Sequence, residues 1–304
     1  MARRWLKGNT HTHTRYSDGD SPPETVVDWY EAHGYDFLFL TDHNILIPDD
    51  HLAKLQRGSL PVWQGEEVTM AAVHVNALGV QELIAPPWPG KSLMEPEVKE
   101  SHTERLRWAL AQIAAQGAVA HVNHPNYLYT LTIDDLLAAG EVGLVEMANG
   151  HNAVNNEGDE SHPSTEVIWD ALLTAGGKVW GVASDDAHHF QTWGENYSNP
   201  GRGWLRVEAE SARMADVLEA VRAGRFYASS GLELAAYEAS GSELSLELAG
   251  DAAIIELIGQ GGAVLESVNA DRARFVLGAA TGPYARVRAT ASDGRQLWTQ
   301  PLFR

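Results

Sequence analysis

Up to about Ser230-Gly231 the chain alternates short apolar runs with amphipathic stretches, and beyond that point the pattern changes. Tyr35-Asp36-Phe37-Leu38-Phe39-Leu40 is a short continuous apolar run of the kind a strand shows when both faces are buried. Comparable runs begin at Leu60, Val73, Gly117, Gly143, Lys178 and Gly203. Helical spacing fills the intervals. The stretch opened by Ser21-Pro22-Pro23-Glu24 places a cap at Ser21 and a proline in the first turn, carries Val26, Val27, Trp29 and Tyr30, and stops at His33-Gly34. Further helices are predicted from about Thr103 to Gln116, with Leu106, Leu110 and Ile113 in register, from Thr165 to Ala175, and from Arg213 to Ala223. Strands alternating with helices predict an α/β protein with a parallel sheet. Seven or so such units over about 230 residues favour a closed or nearly closed barrel.

From residue 232 to 304 helical periodicity disappears. Leu244–Leu248, Ile254–Ile258, Arg274–Leu277, Arg286–Ala289 and Gln296–Thr299 read as short strands separated by turns such as Gly261-Gly262 and Asp293-Gly294. The division expected is a barrel over 1–231 and a small all-β, sandwich-like unit over 232–304. The second unit holds no histidine, so it is expected to pack on the barrel or to mediate self-association as a homo-oligomer.

The polar residues sit where a barrel keeps its chemistry, at the C-terminal ends of strands. His43, Glu67, His124, Glu146, Asp186 and His188 all follow apolar runs. Ahead of them, Gly8-Asn9-Thr10-His11-Thr12-His13-Thr14-Arg15-Tyr16-Ser17-Asp18-Gly19 opens the chain. Residues i and i+2 of a strand share a face, so His11 and His13 can reach one point. Two imidazoles converging in this way suit Zn, Mn or Fe. The plainer reading is a strand that carries two polar residues.

Composition narrows the choices. The chain has 304 residues, 44% hydrophobic and 21% charged, as in an ordinary globular protein. No apolar run is long enough to span a bilayer, and Met-Ala-Arg-Arg-Trp-Leu-Lys-Gly has charge without the apolar stretch of a signal peptide. With no cysteine, any metal site must be built from His, Asp and Glu, and a reducing, cytoplasmic setting is the expectation. A net charge of -19 with no basic stripe argues against DNA or long RNA as a partner.

His11-x-His13, Asp18, Thr41-Asp42-His43-Asn44, Gly65-x-Glu67, His124-Pro125 and Asp186-x-His188 together resemble the motifs of the PHP (polymerase and histidinol phosphatase) superfamily over residues 8 to about 230. The run His74–Gly79 after Gly65-Glu66-Glu67, then Glu146-x-x-Asn149, Ser184–His188 and Ala223–Gly231, is similar to the CehA/McbA-type metallohydrolase branch. The resemblance implies a distorted (β/α)7 barrel with two or three divalent ions (Zn, Mn or Fe). It implies a first metal held by His11, His13, Glu67 and Asp186. Glu67 would bridge to a second held with His74 and His124, and Asp18, His43 and His188 would hold a third. Some members have histidine where Asp18 stands. Glu67, Asp186 and His188 are the residues to which the resemblance assigns the chemistry.

Two carboxylate-linked divalent ions suit hydrolysis by a metal-bridged hydroxide. Three ions leave an excess of positive charge suited to a phosphate monoester; two leave little, which suits a diester or a neutral ester. The function expected is therefore a metal-dependent phosphoesterase acting on a small, anionic molecule. A hydrolase of carboxylic esters, amides or carbamates is the rival enzyme, and a metal-binding structural or partner-recruiting module the non-enzymatic alternative. Arg15 and Asn149 are candidates for touching an anionic substrate. Asp42 and Glu146 are candidates for orienting ligands. His121 is expected to hydrogen-bond at a strand end, and His189 to point away from the site. His33, His51, His102, His151 and His162 are expected on loops or the surface, and Trp63, Trp88, Trp180, Trp193 and Trp204 in the core or the cleft wall. The loops 81–101 and 150–164 are expected to shape the pocket.

Overall fold

The computed structural model describes residues 3–88 and 99–304. The chain runs β1 (Arg4–Asn9), α1 (Pro23–Ala32), β2 (Phe37–Leu40), α2 (Asp49–Leu55), β3 (Val62–Met70), β4 (Val73–Leu78), α3 (His102–Ala115), β5 (Val119–Val122), α4 (Ile133–Ala139), β6 (Leu144–Asn149), α5 (Thr165–Thr174), β7 (Trp180–Ser184), β8 (Trp204–Ala209), α6 (Met214–Arg222) and β9 (Phe226–Ser229). Only strands follow, apart from two short 3-10 turns: β10 (Leu234–Ser240), β11 (Glu243–Leu248), β12 (Ala253–Gly259), β13 (Ala263–Ala270), β14 (Arg272–Val276), β15 (Tyr284–Thr290), β16 (Gln296–Thr299) and β17 (Leu302–Phe303). The result is a mixed α/β fold around one large sheet, ordered β13-β12-β15-β16-β9-β8-β1-β2-β3-β4-β5-β6-β7.

The sheet is less regular than alternation predicts. β1–β2, β2–β3, β5–β6 and β6–β7 pair in parallel. β3 turns back into β4 as a hairpin, and β4–β5, β1–β8 and β8–β9 are also antiparallel. No helix separates β3 from β4, because the apolar run at Val73 follows a two-residue turn in which Ala71 has φ +55°. No strand ladder joins β7 back to β1 among the described residues. The two rims meet just past the strand ends instead. There Asp186 N donates to His11 O and His13 N donates to Ala187 O, each at 2.9 Å.

The α3, α5 and α6 predictions hold to within a residue or so. α3 starts with a capping box: the Ser101 side chain accepts from Glu104 N, and the Glu104 carboxylate accepts from Ser101 N. Ser21 does not cap α1. Pro22 occupies that position, and the Ser21 hydroxyl donates to Asp20 Oδ1 at 2.7 Å. α2 and α4 are seven-residue helices too short to show a periodic stripe, although Thr132 and Asp135 form a capping box at α4. Gly8 in β1 lies under the Phe37 ring, where a Cβ would collide with the aromatic carbons.

The main core is aliphatic, with Phe37, Phe39, Trp169 and Phe226 among β-strands and α3, α5 and α6. A second core joins the three-stranded sheet β10-β11-β14 to β12, β15 and β16. Leu244, Leu246 and Leu248 enter it from alternate positions of β11, at about 1.5–3 kcal/mol for each fully buried leucine. A buried polar cluster ties β15 to α5. Arg286 donates to Asp170 Oδ1 at 2.9 Å and Oδ2 at 2.6 Å, and Tyr284 Oη donates to Asp170 Oδ1 at 2.8 Å. Arg286 also pairs with Glu166 at 2.7 Å and lies over the Trp169 ring.

Candidate metal centre

The segment His11–Asp18 leaves β1 and crosses the mouth of the sheet, held from both sides. Asn9 Oδ1 accepts from His11 N at 2.8 Å, while its amide donates to Asp185 Oδ2 at 2.5 Å. Asp42, past the end of β2, accepts from Thr14 N and Thr14 Oγ1 at 2.8 Å, Ser17 N at 3.1 Å and Ser17 Oγ at 2.6 Å. Asp42 therefore orients the loop that carries the ligand candidates, rather than a histidine ring. Non-glycine residues with positive φ cluster here: Asn44 at 48°, His124 at 22° and Asp186 at 48°. Such backbone is retained only where surrounding contacts impose it, and it concentrates at functional sites.

Four overlapping groups of donor atoms result, each with atoms within 4.8 Å of one another: His11, His13 and Asp186; His11, Glu67 and His124; His43, Glu67 and His74; and His13, Asp18, His43 and His188. The structure thus brings together all nine positions proposed as ligands. Glu67 lies within β3 rather than at its end, in register with His43 through an isolated bridge. His11 Nε2 is 3.3 Å from Glu67 Oε1 and 3.2 Å from Asp186 Oδ1. His13 Nε2 is 3.2 Å from both Glu67 Oε2 and Asp186 Oδ1.

Neighbouring hydrogen bonds aim the rings. Glu146 Oε1 faces His11 Nδ1 at 2.8 Å and leaves Nε2 pointing at the carboxylates. His74 Nε2 lies 2.8 Å from Ala71 O, which turns Nδ1 to Glu67 Oε1 at 3.0 Å. His188 Nδ1 lies 3.0 Å from Asp186 O and presents Nε2 to Asp18 Oδ1 at 3.4 Å. In each case a carbonyl or carboxylate accepts the proton of one ring nitrogen, so the other offers a lone pair.

His11 Nε2, His13 Nε2 and Asp186 Oδ1 are buried and make no hydrogen bond. Buried polar atoms are rarely left so, and each group unsatisfied costs on the order of 1–3 kcal/mol. Imidazole and carboxylate lone pairs converging without intervening protons are the donor set of a divalent ion. The same groups hold one another charged: against the cost of burial, Asp186, Glu67 and Glu146 raise His11, and Asp186 and Glu67 raise His13, so an ion bound here would displace protons from these rings. Burial opposes ionisation of Glu67, but His43, His11 and His74 outweigh it and hold the carboxyl well below its usual range. Burial likewise opposes ionisation of Asp186, and His11 and His13 again overcome it. Burial also opposes ionisation of Asp18, and the neighbouring His188, His43 and His13 lower it. All three carboxylates are therefore ionised near neutrality, the state that ligation requires.

Arg15 and Asn149 are not placed alike. Arg15 is exposed and its Nε donates to Asp20 O at 3.0 Å. Asn149 is buried, its amide donating to Glu146 Oε2 at 2.8 Å and Asp186 Oδ2 at 3.2 Å, and its carbonyl accepting from His151 N at 2.7 Å. The Asn149 side chain is thereby engaged in holding carboxylates. Glu146 accepts in addition from His124 N at 2.7 Å and from Ser184 Oγ. His121 is fully buried, and burial lowers its pKa to about 4.

A cavity of about 160 Å³ opens onto the cluster. Tyr127, His151 and His189 line it beside the ligand candidates. His151 lies on a loop, as expected, but its place in the cleft is what sequence reasoning missed; burial lowers its pKa to about 4. Its place two residues past β6 was the available signal, since that is the strand end where barrels carry their chemistry. His189 also faces this cavity, with Nδ1 3.0 Å from Ser198 Oγ. Of the two loops expected to shape the pocket, 150–164 contributes His151, whereas 89–98 lie outside the described residues.

No protein-family model matches the sequence, and no curated protein matches it. Solved structures do. A two-domain protein from Bacteroides vulgatus containing a predicted PHP-like metal-dependent phosphoesterase is 18% identical, with 99% of this chain and 96% of that chain covered and a TM-score of 0.52. A candidate metal-dependent phosphoesterase from Bifidobacterium adolescentis is 15% identical over 63% of this chain and 89% of that one, with a TM-score of 0.44. An amidohydrolase from Chromobacterium violaceum is 16% identical over 72% and 96%, with a TM-score of 0.40. The first of these shares its fold with the present chain along almost the full length of both. Among the described residues no helix is long and apolar enough to cross a membrane.

Proposed function

We propose that this protein is a metal-dependent phosphoesterase of the PHP type that hydrolyses a small phosphate mono- or diester. The reading rests on one observation, the four overlapping His/Asp/Glu groups with the buried, unbonded Nε2 atoms of His11 and His13 between them. His11, His13, Glu67, His74, His124 and Asp186 would hold two ions, and Asp18, His43 and His188 a third. Zn, Mn and Fe all suit this donor set. Bound divalent ions supply an activated water near neutral pH and neutralise charge on phosphoryl oxygens. The chain's own residues do the remaining work. Glu146 and Asn149 hold His11 and Asp186 in place, and Asp42 fixes the His13–Asp18 loop. Glu67, Asp186 and His188 would carry the chemistry through the ions they would hold. The strands from 232 onward would form an all-β unit that continues the large sheet through the pairing of β16 with β9, and the partner is a small anionic molecule rather than a long nucleic acid.

The test is to load the protein with Mn, Zn or Fe and assay p-nitrophenyl phosphate, bis-p-nitrophenyl phosphate and p-nitrophenyl acetate, with Asp186→Ala as control. Phosphate ester cleavage lost in the variant is the expected result. Cleavage of the acetate alone, equally dependent on Asp186, would replace this reading with a carboxyl ester hydrolase.

A further inference from the structure

Tyr127, His151 and His189 line the cleft without belonging to any of the four donor groups. His151 is held most specifically. Its backbone N–H donates to Asn149 Oδ1 at 2.7 Å, so the loop that bears it is anchored to a residue bonded to Asp186. Its Nδ1 accepts the backbone N–H of Ala153 at 3.1 Å. A backbone amide offers only a proton, so Nδ1 must carry a lone pair, and in the neutral ring the proton then sits on Nε2. A protonated Nε2 has no lone pair for a metal, which separates His151 from the ligand histidines around it. Nε2 makes no hydrogen bond among the described residues. The ring stands nearly perpendicular to His188, with centroids 5.2 Å apart, and to Tyr127 at 6.2 Å.

We propose that His151 is a neutral hydrogen-bond donor to the substrate, its Nε2–H directed at an anionic oxygen of the group undergoing hydrolysis. This deepens the phosphoesterase reading and rests on it for the identity of that group. On a phosphate ester the acceptor is a non-bridging phosphoryl oxygen; on a carboxylic ester it is the carbonyl oxygen as it gains charge. A donor already fixed in the free protein needs no reorganisation when charge develops, and donors of this kind contribute most in water-poor sites. Neutrality matters too. An imidazolium would be repelled by divalent ions held by His188 and the other ligand candidates, a cost that the neutral ring avoids.

Two measurements test it. Long-range proton–nitrogen NMR on the zinc-loaded protein, assigned by the signals missing in His151→Phe, should show His151 protonated at Nε2 and bare at Nδ1. The opposite tautomer, or a zinc-bound ring, overturns the proposal whatever the activity. Kinetics are then compared on whichever ester the enzyme cleaves. His151→Phe should keep its full metal content and lose about 100-fold in kcat with KM changed much less. His151→Gln, whose amide nitrogen reaches the same position, should recover about tenfold of that loss. Unchanged kcat in His151→Phe, lost metal in that variant, or no recovery in His151→Gln each overturns the donor role. Failure of the phosphoesterase reading is separately visible, as turnover of p-nitrophenyl acetate and not of the phosphates.

Discussion

Glu146 Oε1 and His11 Nδ1 lie 2.8 Å apart across 135 residues of sequence, both fully buried, one inside β6 and the other just past β1. The carboxylate accepts the Nδ1 proton and so commits Nε2 to the ion site. Glu146 is a positioning residue. Glu146→Gln keeps an acceptor and loses the charge; Glu146→Ala loses both. Metal affinity, measured by chelator competition, should fall about tenfold in the first and about 100-fold in the second. Equal affinity in all three proteins would remove Glu146 from the site.

Asp18 differs from the other ligand candidates in exposure, with 52% of its side chain accessible against 1% for Glu67 and 5% for Asp186. Its group should therefore hold its ion most weakly. Asp18→Ala should release one equivalent of metal, read by elemental analysis, and leave the remainder bound. Simultaneous loss of all metal would show that the three positions form one cooperative unit.

Burial raises Glu66 to about 7, even though Ile84 N donates to its Oε2 at 2.8 Å. An acid whose folded pKa exceeds its unfolded value is protonated in the folded state while the unfolded chain has already ionised. This contribution to stability is therefore fully present below the unfolded pKa, falls as pH rises from there toward about 7, and is constant above it. Glu66→Gln removes the titration. The stability of Glu66→Gln relative to wild type should rise between pH 5 and pH 8, by up to about 3 kcal/mol in denaturant melts at fixed metal saturation. A pH-independent difference would contradict it.

Asp170 and Arg286 join α5 to β15 through two hydrogen bonds, both residues being buried. Asp170→Ala leaves the guanidinium with only Glu166 and should destabilise the protein by about 3–5 kcal/mol. The double substitution Asp170→Leu with Arg286→Met removes both charges and should recover much of that loss. Thermal melts of the three variants decide the matter. A double variant as unstable as the single one would mean that packing, not charge, carries the contact.

Short-range information accounts for much of this molecule. The apolar run at Phe37–Leu40, the spacing within α3 and α5, and the period-two alternation of β11 each express one residue's preference against its near neighbours. His11-x-His13 is also local, since any extended backbone places i and i+2 on one face. Positions such as His43, His124 and Asp186 were legible because they follow apolar runs, and strand ends carry a barrel's chemistry.

Tertiary structure decided what depends on residues far apart in the chain. β3 and β4 form a hairpin, β8 and β9 run antiparallel, and the rims of the sheet meet through Asp186 N and His13 N. Periodicity reports which face of a segment is apolar, and carries no sign for the direction of its neighbour. The roles of Asp42, Glu146 and Asn149 came from the same source. Each is a polar residue whose partners lie 2 to 135 positions away, and a carboxylate or amide has no preferred partner until packing supplies one. His151 makes the point most directly. The sequence alone determined that an imidazole follows β6; the fold turned it into the cleft, and the Ala153 N–H decided which of its nitrogens bears the proton.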